Sequence, residues 1–525
     1  MKIKVKDIEY NYEAGGLIHY KNNDKPFFLQ GSCADMIKAK MVESLKKQIE
    51  KTNEENDVIE IYLKSSNACN LRCTYCFRKI QNIELDIEGI KKFVNLVIDK
   101  YKCEKLKIDL TGDSEPLMEI NKLKTIIEAC NSIGVERNVE FVYALNSNGT
   151  VMSKEILNFL YKNSILFGFT IEGFSLDEYK SRYADGKIAM NDIIENILKY
   201  KINENPLFGV SMTLTSGHND LVLEYKKLLK LCSAISMRIV NTVNEDGVIP
   251  ENLEEWKRKY YDLAIFLLDE IKAKRYESIF PLLRSRDFFG TYLKATLYDV
   301  KRNQACLGGY KQLFLNYTGE VYVCSWGYKE DKYKVGYKDG LNNDRVNYYK
   351  NYSVDMDRVC KDCDVRYICG GECHIMRGDN EDLSAWCELK CYLIGLATYI
   401  SDWVKENDVD GLQKIRENVK SNYYAGKIES YIKAISFLFS ARGETIGPNE
   451  IKNEVKGSIY GPELKSMIEF LEKSKFKVTK LNSSSDDKGY SYYLLHTKNN
   501  GYNEYNVVNN IAKDLKYDNA LEINI

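Results

Sequence analysis

Between residues 58 and 245 the hydrophobic pattern switches repeatedly between two periods. Val58–Leu63 is a short β-rich run. Ile87, Ile90, Phe93, Val94, Val97 and Ile98 then recur three and four apart, which predicts a helix. Leu106, Ile108 and Leu110 alternate as a strand does. Leu123, Ile126, Ile127 and Cys130 form a second helical stripe, which assigns Cys130 to the core. Further strands are predicted at Val139–Leu145, Leu166–Ile171, Gly209–Leu214 and Met237–Val240, with helices between them. Repeated strand–helix alternation implies an α/β fold with a parallel sheet and right-handed crossovers. Functional residues of such a sheet gather at the carboxyl ends of its strands.

The flanks follow other patterns. In residues 1–57, MKIKV and the stretch Gly16 to Leu29 read as short strands, with a polar turn at Asn22-Asn23-Asp24. A lysine-rich helix is expected over Asp35–Lys51, and the whole piece reads as a cap on the sheet or a small leader-binding-like module. Residues 246–300 read as a helical linker without chemistry, amphipathic from Leu253 to about Ile271. Leu393–Val404 continues a helix into a connector over 392–427. Beyond it, Ile428–Arg442 is a helix stopped by Gly443. Pro448 and Pro462 open two more, each at a favourable first-turn position. Lys477–Lys480 and Tyr490–His496 alternate as strands around the loop Asn482 to Gly489. Three helices and a β-wing suggest a winged-helix-like module over 428–525. Its Lys465, Lys473 and Lys475 are interleaved with Glu463, Glu469 and Glu472, which favours peptide or protein contact over DNA.

Composition narrows the classes. Length suits two to four domains. Lysine plus arginine number 75 against 76 acidic residues, so no global basic field argues for nucleic acid. There is no apolar run near the length of a membrane span, and the start MKIKVKDIEYNYE lacks an apolar signal core; a cytoplasmic location is expected. In that setting fifteen cysteines point to metal or redox chemistry rather than disulfides. Eleven of them fall in two groups, at 69–76 and 306–391. Cys33, Cys103, Cys130 and Cys232 are scattered and read as packing, as do His19, His218, His374 and His496.

The first group is the stretch CNLRCTYCF, with thiols at Cys69, Cys73 and Cys76. Thiolates suit zinc or iron–sulfur clusters. A 4Fe–4S cube takes four ligands, and this loop offers three, which would leave one iron open. A distorted zinc loop is the alternative.

The spacing C-x3-C-x2-C with Tyr75 before the last cysteine resembles the radical SAM superfamily. That resemblance implies a partial (β/α)6 TIM-like barrel over 58–245, with the cysteine loop at the end of the first strand. The open iron would chelate S-adenosylmethionine, cleave it with one electron and give a 5′-deoxyadenosyl radical. The other strand ends also resemble the family. Gly112-Asp113-Ser114-Glu115-Pro116 stands where relatives have Gly-Gly-Glu-Pro and is one residue longer, which makes Gly112 and Glu115 candidates for holding the cofactor's amino group. Asn146-Ser147-Asn148-Gly149-Thr150 is similar to a Thr-Asn-Gly turn, which places Ser147 near the ribose. Thr170-Ile171-Glu172-Gly173 takes the place of an Asp-Gly, and Arg182 follows at a spacing suited to the cofactor carboxylate.

The second group reads C-x12-G-x4-C from Cys306 through Gly319 to Cys324, then C-x2-C-x5-C-x3-C through Cys360, Cys363, Cys369 and Cys373, then Cys387 and Cys391. This resembles the SPASM extension, including its Cys-Gly-Gly-x-Cys turn, and defines a segment over 301–391. By similarity Cys306, Cys324 and Cys373 would hold a first auxiliary 4Fe–4S cluster. Cys360, Cys363 and Cys369 would hold a second with Cys391. Cys387 is left to complete the first or to stand spare. Three clusters, S-adenosylmethionine and an electron donor such as flavodoxin or ferredoxin are the implied cofactors and partners. The implied activity is modification of a ribosomally made peptide, through thioether or carbon–carbon crosslinks. The alternatives are formylglycine formation in sulfatases and, from another class, a zinc-ribbon and winged-helix binding protein.

Overall fold

The computed structural model describes residues 59–64, 68–76, 86–112, 114–163, 165–176, 179–204, 208–239, 252–285, 287–375 and 384–416, together with backbone strands near both ends of the chain. The strands of the first end are β1 (Lys2–Val5), β2 (Ile8–Tyr12), β3 (Ile18–Asn22) and β4 (Lys25–Phe28), paired in that order as an antiparallel sheet. The helix expected over Asp35–Lys51 lies outside the described residues, as do the three helices expected between 428 and 476.

The centre is a sheet that starts with six parallel strands. β5 (Ile59–Leu63), β6 (Lys105–Asp109), β7 (Glu140–Ser147), β8 (Leu166–Ile171), β9 (Gly209–Leu214) and β10 (Ala234–Ile239) lie side by side in sequence order. Each pairs in parallel with the next. The helices between them include α1 (Ile87–Tyr101), α2 (Ile120–Arg137), α3 (Lys154–Lys162), α4 (Met190–Lys199) and α5 (Leu221–Leu228). Three of them start on side-chain caps, Asp86, Ser153 and Asp220, each accepting from a first-turn N–H. Alternating strand positions divide the two faces. Ile61, Ile108, Phe169 and Met212 are fully buried under the helices, whereas Thr170, Ser211 and Arg238 face a polar interior.

Residues 252–297 add α6 (Leu253–Lys272), α7 (Phe280–Arg284) and α8 (Phe288–Leu297). β11 (Gln312–Leu315) then returns to pair in parallel with β5, Leu313 opposite Ile61. It extends the sheet into the antiparallel run β12 (Glu320–Tyr322), β13 (Lys334–Tyr337) and β14 (Gly340–Leu341). α9 (Asn343–Asn351), α10 (Arg366–Cys369) and the long α11 (Ser384–Asn407) follow. α11 packs on both α8 and α6. One continuous apolar core runs from Ile59 to Ile415, so the barrel, the helices after it and the cysteine-rich segment are built around the same interior. At the far end β15 (Lys477–Leu481) and β16 (Tyr490–His496) pair antiparallel around the expected loop. β17 (Asn509–Ala512) and β18 (Ala520–Leu521) join them. Among the described residues no helix is long and apolar enough to cross a membrane.

Candidate active site

The cysteine loop follows β5. Leu71 is its apolar plug, buried in the core and bridged to Tyr183. The backbone is pinned to the segment after β8, with Arg72 N donating to Arg182 O at 2.7 Å and Thr74 N to Lys180 O at 3.3 Å. Cys69 and Cys73 are half-buried and Cys76 is exposed. Ser181 Oγ sits 3.4 Å from Cys73 Sγ and 3.0 Å from the Tyr75 hydroxyl. Burial pushes the Cys73 thiol up to about 11, and the charges of Cys76 and Glu172 add to the shift. A bound metal would replace that proton, because the ligand form is the thiolate.

Three further strand ends close round the loop. Glu115, only 1% exposed, accepts from Ser147 Oγ at 2.7 Å, Leu117 N at 3.1 Å and Asn148 N at 2.5 Å. It thereby locks the end of β7 to the turn after β6. Ser147 Oγ also accepts from Gly149 N at 2.9 Å. Ser114 Oγ is buried beside it with no hydrogen-bond partner and lines the cavity described below. Glu172 accepts from Lys180 N at 2.8 Å and Ser181 N at 2.7 Å, while burial raises its carboxyl above the usual range. Its carbonyl meets His218 Nε2 at 2.5 Å, which gives that fully buried histidine a structural place.

These side chains open on one cavity of about 1780 Å³. Cys69, Cys73, Tyr75, Cys76, Glu115 and Ser147 lie on its barrel side. Cys306, Cys369 and Cys373 line the cavity as well, so thiols of both sequence groups face the same space. Two of the expected cofactor contacts stand outside this lining. Gly112 is in the turn with φ +57°, and the Arg182 guanidinium donates to Gly186 O at 3.2 Å. The segment expected to carry no chemistry supplies part of the wall through Phe288, Thr291, Tyr292, Lys294 and Tyr298. Lys294 has no hydrogen-bond or ion-pair partner among the described residues, and burial lowers its pKa. A lone lysine in a helical run leaves no mark in the sequence that separates it from a solvated one.

The second thiol group divides in two. Cys324 is pushed up to about 12 by burial, with the charges of Cys373 and Cys306 contributing. Cys363 hydrogen-bonds with Cys391, which holds Cys363 down at about 7 and raises Cys391; Cys369 and Cys387 raise Cys391 further. Cys387 therefore stands with Cys363, Cys369 and Cys391, one turn from Cys391 on α11. Cys360 is buried, its N–H held by Asp357 Oδ1 at 2.9 Å. The Gly-Gly turn is a steric requirement: Gly370 has φ +76°, and a Cβ there would lie 2.7 Å from Ala305 N. Among the described residues no three His, Cys, Asp or Glu side chains close on a single ion, so the thiols are gathered but not drawn together.

A parallel barrel with three thiols after its first strand, facing a large cavity, is the setting for a thiolate-held metal centre beside a cofactor pocket. Residues 63–232, about a third of the chain, match the model of the radical SAM superfamily, so this part of the chain carries a radical SAM domain and the chain is an enzyme. A radical SAM domain implies S-adenosylmethionine and a 4Fe–4S cluster, and the donor set suits them: three soft ligands stand within eight residues, and Ser114 Oγ is buried without a hydrogen-bond partner next to Glu115. The chain is similar to a cysteine-type anaerobic sulfatase-maturating enzyme of Clostridium novyi, with 25% identity over 335 residues, 59% of this chain and 86% of that one. It is also similar to the radical SAM cyclopropyl synthase TigE of Paramaledivibacter caminithermalis, with 22% identity over 365 residues, 62% of this chain and 70% of that one. Among solved structures, native anSMEcpe with bound AdoMet and Kp18Cys peptide superposes with a TM-score of 0.53. Identity is 18%, over 67% of this chain and 99% of that one, a likeness of fold.

Proposed function

We propose that the chain is a SPASM-type radical SAM enzyme that matures a ribosomally made peptide by closing a thioether or carbon–carbon crosslink. The observation that carries this reading is the shared cavity, with thiols of both cysteine groups on its walls. Its volume exceeds the roughly 300–1,000 Å³ of ordinary small-molecule sites, which leaves space for a peptide segment beside the cofactor. Similarity to a sulfatase-maturating enzyme supports a polypeptide substrate.

In this reading Cys69, Cys73 and Cys76 hold the cluster that binds S-adenosylmethionine, and Tyr75, Glu115 and Ser147 line the space for the cofactor, with Gly112 and Arg182 behind that lining. When bound, cluster and cofactor together supply a 5′-deoxyadenosyl radical that takes one hydrogen atom from the substrate. Leu71 and Tyr75 shield that side of the cavity from water. Cys306, Cys324 and Cys373 form a first auxiliary site, and Cys360, Cys363, Cys369 and Cys391 a second. Cys387 stands with the second, so the first keeps a position for a substrate thiolate. Crosslinking removes two hydrogens: one leaves as the atom abstracted, the other as a proton, and the remaining electron exits through the auxiliary wall. The terminal pieces, 1–57 and 428–525, are assigned to handling the peptide's leader.

The test is anaerobic. Purified protein is expected to be brown, with about twelve iron and as many sulfide per chain if all three sites hold cubes. A colourless protein rich in zinc would sink the reading. Reduced enzyme with S-adenosylmethionine is expected to release 5′-deoxyadenosine, and joint replacement of Cys69, Cys73 and Cys76 by Ala to abolish that release. Incubation with peptides encoded beside its gene is expected to remove two hydrogens per crosslink with sulfur retained. A second reading, formylglycine formation, is favoured by the sulfatase-maturating relative. Exchange of a cysteine sulfhydryl for a carbonyl oxygen would establish it instead.

A further inference from the structure

The turn after β7 contains a side chain that the cofactor reading leaves unused. Asn148 Oδ1 accepts from Thr150 N at 3.0 Å. A peptide N–H only donates, so this contact fixes the amide: its nitrogen faces the cysteine loop. There Nδ2 donates to Asn70 Oδ1 at 2.9 Å and lies 3.9 Å from Cys69 Sγ. Thr150 closes the ring, donating from Oγ1 to Asn148 Oδ1 at 2.7 Å and accepting from Asn70 Nδ2 at 2.8 Å. The Asn148 backbone is anchored in turn by Glu115 Oε2 at 2.5 Å. Each hydrogen of the amide therefore has one direction open to it, and one of the two directions is a thiol of the cluster loop.

We propose that Asn148 is a positioning residue that donates to the Cys69 sulfur and raises the reduction potential of the radical SAM cluster. The inference rests on Cys69 being a ligand of that cluster. A thiolate accepts more strongly than a thiol, so the long contact tightens when Cys69 is ligated. Reduction adds negative charge that spreads onto the sulfurs, and an N–H dipole aimed at one of them favours the reduced form. The Asn70–Thr150 ring keeps the amide aimed while substrate and cofactor come and go.

The test is a redox titration of the reconstituted holoenzyme, followed by electron paramagnetic resonance. The signal that changes on adding S-adenosylmethionine reports this cluster. Asn148→Leu removes both donors. Asn148→Asp removes them while keeping the acceptor for Thr150 N, and serves if the leucine variant fails to fold. Both variants are expected to lower the midpoint by about 59 mV, which corresponds to a tenfold shift toward the oxidised form for one electron. An exchangeable-proton coupling in the wild-type spectrum is expected to vanish with them. An unchanged midpoint and coupling in a variant that retains the cofactor-responsive signal overturns the inference. Survival of that signal in Cys69→Ala would instead overturn the ligand assignment beneath it.

Discussion

Asp287 shows what the cavity asks of single residues. It caps α8, accepting from Gly290 N and from Met237 N on β10, each at 2.6 Å. It is almost fully buried, and burial raises its carboxyl from 3.8 to about 6 although both N–H groups oppose the shift. The folded chain thus holds this proton where the unfolded chain has released it. The acid's contribution is complete below about pH 4 and declines as pH rises through 6, by on the order of 3 kcal/mol. Asp287→Asn is expected to flatten the fall in thermal stability between pH 5 and 7, while losing one of the two caps. Melting curves of both proteins across that range check the sign, and parallel curves would contradict it. Lys294, on the same helix, shifts in the opposite sense for a base: burial favours its neutral amine. Acylation of Lys294, followed by peptide mass mapping, is expected to rise at lower pH than that of the solvent-exposed lysines in the same digest. Coincident profiles would show that its amine reaches bulk water.

At the scale of elements, the cysteine-rich segment depends on a buried ion pair. Lys390 on α11 reaches Glu372 in the turn between Cys369 and Cys373, and both are more than nine-tenths buried. Removing one partner leaves the other charge stranded, which costs about 3–5 kcal/mol. Lys390→Met is expected to lose iron from the auxiliary sites while keeping the signal that answers to S-adenosylmethionine. Adding Glu372→Leu should restore much of the stability, because the stranded carboxylate is then gone. Equal loss of all iron from Lys390→Met would show that the pair supports the whole chain. No sequence period announces such a pair, since its members are eighteen residues apart on different elements. What was legible is what burial writes periodically. The stripe Ile87 to Ile98 falls inside α1, and Leu253 to Ile271 falls within α6, because each helix hides one face. β10 begins at Ala234, three residues ahead of the run from Met237, because Ser236 and Arg238 on its cavity face break the apolar signal. The thiols could be read individually, since their spacing is set by the loop. The place of Cys387 could not, because it meets Cys363 and Cys391 only after α11 has packed.

The molecule as a whole is joined where sequence distance is greatest. β11 adds to β5 across some 250 residues, and α11 packs on α8 and α6, so the cysteine-rich segment covers both an edge of the barrel and its helical wall. Without that segment β5 would show a bare strand edge carrying Ile59, Ile61 and Leu63, all buried in the complete chain. An uncovered apolar edge invites pairing with another chain. A fragment ending at residue 300 holds every strand from β5 to β10 and all three thiols of the first loop. It is nevertheless expected to aggregate on size-exclusion chromatography, whereas a chain ending at residue 416 is expected to elute as a discrete species. A soluble, folded fragment of the first kind would show that the barrel is independent and that the shared cavity is merely where two separate units meet. The single core from Ile59 to Ile415 argues otherwise. Both cysteine groups are held against one space by one interior, so loosening either wall changes the distance between them.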